Sequence, residues 1–215
     1  MGRSSNFVAA GFGVVAALLA TDATALDCAA LTKSTRTINI TVTATTNGAP
    51  SQMRNFRIER GAHTLITALA ANGSVLFRNE GEGVLGRWAE SYSAGKLLRQ
   101  DIEYVNVQGP LASLEEGATS TYELRSTANG NVIFAAEGRQ TVGPHGSTRL
   151  SGCTVATVAV HREVLQKAKQ VRTTMDQVFA PELGYFVMST TKRESASPEY
   201  TRTDTFSAIS AEVEE

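Results

Sequence analysis

The stretch from Leu150 to Lys192 decides the fold. Near its start is the apolar run Cys153-Thr154-Val155-Ala156-Thr157-Val158-Ala159-Val160. After a charged connector comes Met175-Asp176-Gln177-Val178-Phe179-Ala180-Pro181-Glu182-Leu183-Gly184-Tyr185-Phe186-Val187-Met188. Pro181 presets the backbone for a turn, and Gly184 supplies the permissive backbone that closes it. The flanking aromatic and β-branched runs are typical of strands. The stretch predicts a hairpin, and it contains no nucleophile, base or set of metal ligands.

Other segments also have strand character. From Thr35 to Thr45 the chain alternates between apolar and polar residues, as in a strand with one buried face. Asn72-Gly73 and Asn129-Gly130 each lie between two extended runs, and Asn-Gly is the strongest short-range hairpin signal. We therefore expect both pairs of runs to form antiparallel hairpins.

Roughly nine or ten strands can be counted along the chain, at spacings typical of antiparallel sheets. Helix-favouring residues are confined to His161–Arg172, where no apolar stripe of helical period is sustained. The sequence predicts an all-β fold with a single antiparallel curved sheet, either a half-barrel or a sandwich. At most one short helix is expected besides an N-terminal signal helix.

The first 25 residues have the three parts of a secretory signal peptide. These are Arg3, an apolar run from Phe7 to Ala20, and the small-residue site Ala23-Thr24-Ala25. We expect residues 1–25 to be removed on export to the periplasm and residues 26–215 to form one all-β domain. A retained anchor is disfavoured because a span needs about 20 apolar residues. Lipidation at Cys28 is disfavoured by the acid that precedes it, Asp27.

The net charge of −1 gives no reason to expect nucleic acid or an anionic membrane as a partner, and the basic residues are scattered along the sequence. No other segment resembles a membrane span. The chain has two cysteines, Cys28 and Cys153. In an oxidising compartment an even pair predicts one disulfide between them.

Two segments carry a family resemblance, namely Gly152-Cys153-Thr154-Val155-Ala156-Thr157-Val158 and Phe179-Ala180-Pro181-Glu182-Leu183-Gly184-Tyr185-Phe186-Val187. They resemble segments of a loosely defined family of uncharacterised periplasmic proteins of proteobacteria. The likeness covers a strand, a turn and a second strand. It implies a curved antiparallel sheet, in some members similar to the half-barrels that carry lipoproteins across the periplasm. It brings no catalytic residues.

Candidate chemistry is sparse. His63, His145 and His161 fall in separate segments without metal-ligand spacing, so we expect no metal site and no cofactor. The segment Gly81 to Trp88 is the best candidate for a ligand site, because glycines allow close approach of the backbone. Trp88 and Tyr92 could form the rim of a groove, with Leu85 beside them.

These observations lead to three hypotheses. The first is a non-catalytic periplasmic β module that binds a hydrophobic ligand, such as a lipid, or a cell-envelope partner. The alternative is a hydrolase acting on an envelope polymer, with its acid and base drawn from Glu80, Glu82, Asp101, Glu103 and His161. A third is a purely structural envelope protein without a cavity.

Overall fold

A computed structural model describes residues 28–33, 37–93, 96–197 and 201–214 of the 215-residue chain. These ranges contain one α-helix and twelve strands: α1 (Cys28–Lys33), β1 (Ile38–Thr46), β2 (Gln52–Glu59), β3 (Thr64–Leu69), β4 (Val75–Glu82), β5 (Leu85–Ser93), β6 (Lys96–Gln108), β7 (Thr119–Ala128), β8 (Asn131–Leu150), β9 (Cys153–Gln166), β10 (Val171–Ala180), β11 (Tyr185–Ser195) and β12 (Arg202–Val213). A short 3₁₀ turn, Lys167–Lys169, joins β9 to β10. No helix in the described ranges is long and apolar enough to cross a membrane. The predicted signal peptide lies outside them.

The twelve strands form one closed antiparallel barrel in which each strand pairs with its neighbours in sequence. The ring closes because β1 pairs with both β2 and β12. Along the closing pair, Ile38 lies opposite Val213 and Thr46 lies opposite Asp204. The hydroxyl of Thr46 donates to the Asp204 carboxylate at 2.6 Å, and Arg202 forms an ion pair with the same group at 2.6 Å.

The prediction of an all-β fold is confirmed, but the prediction of an open curved sheet, a half-barrel or a sandwich is wrong. An open sheet has two edge strands with unpaired backbone groups. Here the first and last strands pair with each other instead. Ile38 and Val213 are far apart in sequence, so no local pattern indicated their contact.

The local predictions agree better with the structure. The three predicted hairpins form as β3–β4, β7–β8 and β10–β11, and Gly184 has a φ of +63° in its turn. Two segments differ from expectation. The charged connector after Val160 continues β9 to Gln166, and the glycine-spaced segment after Gly81 forms the tight β4–β5 hairpin.

Alternate residues face the lumen and the outside of the barrel wall. The lumen contains a cluster of apolar side chains contributed mainly by β1–β3, β11 and β12, including Ile40, Phe56 and Tyr185. The outward face carries charged residues such as Glu123 and Asp176 and many hydroxyls.

The two ends of the barrel differ. At one end the connections bury apolar side chains, namely Val84, Leu111 and Leu183, and Leu31 of α1 is also buried there. The connections at the other end, which are 47–51, 70–74, 129–130, 167–170 and 196–197 among the described residues, contain no buried residue. We call these the closed end and the open end.

The closed end is also held by the β8–β9 hairpin and a disulfide. Val155 and Cys153 pack with Leu31 and Ile38 in the main apolar cluster, whereas Val160 packs with Val84 and Phe179 in a second cluster. Burial alternates from Cys153 to Thr157 and changes phase at Val158, opposite the irregularity between Val142 and His145, so the two halves of the run pack in different clusters. The predicted disulfide between Cys28 and Cys153 is confirmed, and it ties α1 to this hairpin.

Replacing both cysteines by serine should lower the free energy of unfolding by about 4 to 5 kcal/mol, because the bond closes a loop that spans a sequence separation of 125. Urea unfolding of the variant and of the wild type measures the difference. Wild-type protein kept reduced with dithiothreitol is the control and should match the variant. An unchanged unfolding midpoint would contradict the stabilising role.

Candidate functional site

The open end contains a cavity of about 750 Å³. Its wall is formed by lumen-facing residues of β7 to β11. The apolar lining residues are Leu124, Ile133, Phe134, Val164, Val171 and Met175. A volume of this size lies within the range of about 300–1,000 Å³ that is typical of small-molecule sites.

Two cationic side chains, Lys169 and Arg193, line the mouth of this cavity. Both residues are exposed, and neither forms an ion pair with another described residue. Gln166, Thr173 and Ser195 add polar groups to the lining. The cavity therefore combines an apolar interior with positive charge at its mouth.

Beneath the cavity, the next row of lumen-facing residues contains Arg162. Val164 lies opposite Gly138 and Thr173, and Arg162, two residues earlier on the same face of β9, lies opposite Gln140 and Met175. The lumen below the apolar lining is thus occupied by a cation.

The guanidinium of Arg162 is held by neutral groups. Its Nε donates to Oε1 of Gln140 at 2.8 Å, and Nη2 donates to the carbonyl of Val84. The group also lies 5.7 Å from the ring centroid of Phe186. None of the described carboxylates forms an ion pair with it. Burial lowers the pKa of Arg162, and the neighbouring Tyr104 and Tyr122 oppose that shift.

Two tyrosines stand beside this arginine. The rings of Tyr104 and Tyr122 lie 5.3 Å apart, edge to face, and the Tyr104 hydroxyl accepts a hydrogen bond from the Gly86 amide at 3.2 Å. Burial raises the pKa of both phenols from the ordinary value, and Arg162 partly offsets the rise. Both tyrosines therefore stay neutral at physiological pH.

Gly138 provides the space that the Tyr122 ring occupies. A Cβ at Gly138 would lie 2.2 Å from Cε2 and 2.4 Å from Cζ of that ring. Since such distances are impossible, the Tyr122 ring covers the backbone of β8 only because this residue is glycine.

The three predicted ligand-binding residues do not form one group. Leu85 packs against the Val84, Val160 and Phe179 cluster. Trp88 lies on the outward face of β5, where it pairs with Glu80 and Asp101 of the adjacent strands. The Arg99 guanidinium lies 4.5 Å from its ring centroid. Tyr92 is exposed on the same face, near the open end.

The five residues of the hydrolase hypothesis are also separated. Glu80, Glu82, Asp101 and Glu103 are on β4 and β6, whereas His161 is on β9. Glu82 is 3.9 Å from His63, and Arg87 and Arg99 form ion pairs with Glu80 and Asp101, respectively. His161 thus lies apart from the four acids.

His161 instead borders an outward groove of about 500 Å³ that crosses β8 to β12 and β1. Its Nδ1 lies 2.7 Å from Asp176, and Nε2 lies 3.7 Å from Glu163. Hydroxyl side chains such as Thr190 and Thr205 line much of the rest. Among the described residues, no cluster of three or more His, Cys, Asp or Glu side chains is suited to a metal ion.

Sequence reasoning missed the open-end cavity and Arg162. The lining residues come from five strands and look like ordinary alternating strand residues. The one signal in the sequence that pointed to this site was Arg162, a cationic residue on an otherwise apolar face of β9. Val158, Val160 and Val164 are buried on that face. That signal is visible only once the strand is known to continue past Val160.

Replacing Gly138 by Ala should destabilise the protein by about 1–3 kcal/mol, because the Tyr122 ring must move. Gly146→Ala on the same strand is the matched control, since its Cβ would meet only Oγ1 of Thr157, at 3.5 Å. Thermal unfolding of both variants compares them. Equal stability of the two variants would contradict the packing role of Gly138.

The free energy of unfolding should change little between about pH 7 and pH 9 and fall above about pH 10. The pKa values of Tyr104, Tyr122 and Tyr185 are raised by burial, so above pH 10 the unfolded chain loses protons that the folded protein keeps. Urea unfolding across this range measures the slope. Tyr122→Phe should make it shallower, and an identical slope would contradict the burial of this phenol.

No protein-family model matches the chain, and no curated protein matches it. Among solved structures, the chain is similar to a protein from Bacteroides fragilis that is described as an exported protein with a YmcC-like fold. The sequence identity is 12%, the TM-score is 0.41, and the likeness covers 81% of this chain and 95% of that one. At this level of likeness no residue role is transferred.

Proposed function

We propose that the chain is a non-catalytic exported module that binds an elongated amphipathic anion in its open-end cavity. A long-chain fatty acid or a lysophospholipid has this chemistry. The observation that carries the proposal is the cavity of about 750 Å³, which is apolar inside and has Lys169 and Arg193 at its mouth.

The lining determines the orientation of the ligand. Each methylene that leaves water for an apolar site contributes about 0.8 kcal/mol, so the hydrocarbon chain enters between Leu124, Phe134 and Val164. An anionic head group stays hydrated at the mouth, where it meets Lys169 and Arg193. We place the anchors at the mouth and not at Arg162, whose Nε and Nη2 donate to Gln140 and to the Val84 carbonyl.

Export to the periplasm is part of the proposal. The signal-peptide pattern of residues 1–25 supports it, and so does the Cys28–Cys153 disulfide, since such bonds persist in oxidising compartments. A cell-envelope protein that delivers or receives the ligand is the corresponding partner.

Two other proposals are less well supported. A second, outward-facing site at Trp88 and Tyr92 would exclude Leu85, which packs elsewhere. An envelope-polymer hydrolase would have to use His161 with Asp176 in the outer groove, apart from the other four candidate acids. Hydrolysis of peptidoglycan or polysaccharide that is lost in His161→Ala would favour this alternative.

The binding proposal is tested with cis-parinaric acid, a fluorescent fatty acid, added to delipidated protein with its disulfide intact. Fluorescence should rise on binding, and palmitate should displace the probe better than hexadecanol because only palmitate carries a charge. Removing both cations with Lys169→Ala and Arg193→Ala should weaken probe binding roughly tenfold. Lys192→Ala, adjacent to Arg193 but on the outward face, is the matched control.

Blocking the cavity gives an independent result. Ser195→Trp places a large ring in the cavity and should abolish binding, whereas Glu194→Trp places the same ring on the outward face of β11 and should not. Full binding by the Ser195 variant would overturn the proposed site. A wild-type protein that does not bind the probe would overturn the proposed ligand class.

A further inference from the structure

Exposed apolar side chains are concentrated at the open end. Of the large apolar residues that are exposed in the described ranges, most lie within the first few or last few residues of strands that meet there. They are Met53, Leu76, Tyr92, Leu97, Leu98, Val132 and Ile133. Val107, Met188 and Ile209 are exposed elsewhere. We call the seven residues the apolar rim.

The rim is contributed by the first four hairpins of the open end. Tyr92 lies directly opposite Leu97, and Leu76 lies one residue before Phe77, which pairs with Ser91. Leu76, Tyr92 and Leu97 thus adjoin one another on the outward face. Exposed apolar groups gathered in this way mark an interaction surface.

The open end is also the basic end. We consider the connections of this end together with the four strand residues on either side of each connection. The described basic residues there are Arg54, Arg78, Lys96, Arg99, Arg125, Lys167, Lys169, Arg172, Lys192, Arg193 and Arg202. The described acidic residues are Glu90, Glu163, Glu194 and Asp204. Four of the basic residues form ion pairs, Arg99 and Arg202 with Glu90 and Asp204, and Arg125 and Lys167 with Glu123 and Glu137, which lie just outside this range.

The closed end has the opposite balance. Within the same distance of its connections and at the end of β12, the acidic residues are Glu59, Glu80, Glu82, Glu115, Glu116, Glu182, Glu212 and Glu214. The basic ones are Arg57, Arg60, Arg87 and Arg149. A chain of almost zero net charge therefore has a positive end and a negative end.

We propose that the open end docks on an anionic phospholipid surface, with the apolar rim inserted at the level of the head groups. Apolar side chains combined with surrounding lysine and arginine bind such interfaces by burial and by attraction to anionic lipids. The acidic closed end points away from the surface. Membrane docking is distinct from ligand binding, because Ile133 alone of the seven rim residues also lines the cavity.

The test is flotation of the full mature protein with vesicles. Binding is expected to vesicles of phosphatidylcholine and phosphatidylglycerol in equal amounts, much less to phosphatidylcholine alone, and to weaken as salt rises. Replacing Leu76 and Leu97 by Ser should reduce vesicle binding at least tenfold. Val107→Ser with Ile209→Ser is the matched control, because these residues are similarly exposed but lie away from the rim, and it should bind like the wild type.

The charge contribution is measured separately. Lys96→Ala should reduce binding to the anionic vesicles roughly fivefold. Arg149→Ala at the closed end should have no effect. Neither residue lines the cavity, so cis-parinaric acid binding should be unchanged in both, which separates this proposal from the preceding one.

Three results would overturn the inference. One is the absence of binding to the anionic vesicles, and another is binding that the rim variant retains in full. The third is that the wild type is a dimer, the rim variant is a monomer, and neither binds vesicles. The rim would then bind a second copy of the chain.

Discussion

The pairing of β1 with both β2 and β12 is the constraint on which the rest of the structure depends. It converts a meander of hairpins into a ring and so removes both sheet edges. In the closed ring every strand has one enclosed face and one outward face. The enclosed face receives the aromatic and aliphatic side chains, including Phe56 and Tyr185, together with the cation Arg162.

Closure also gives the barrel two unlike ends. One is filled by Leu31, Val84 and Leu183, and the disulfide secures it. The other lacks buried residues in its described connections and contains the cavity. Because antiparallel strands alternate in direction, every second connection falls at the same end. Exposed apolar groups and basic groups from distant segments therefore meet around one opening.

Sequence reasoning succeeded where the determining information is local. Alternation from Ile38 to Val42, the turn at Asn129-Gly130 and the turn at Gly184 depend on a few adjacent residues, and all three are present in the structure. The disulfide followed from having only two cysteines. Barrel closure could not be predicted, because it joins residues as distant as Ile38 and Val213.

The same limit applied to the cavity and to the charge distribution. Basic residues that look scattered along the sequence are separated by about two strands, so the chain returns them to the same end of the barrel.

The closed ring has a further consequence for cooperativity. An open sheet can lose its outermost strand while the remainder survives, but a ring has no outermost strand. Detaching any strand breaks two ladders at once and exposes two new edges. Unfolding of the wall should therefore be a concerted event and not a progressive fraying.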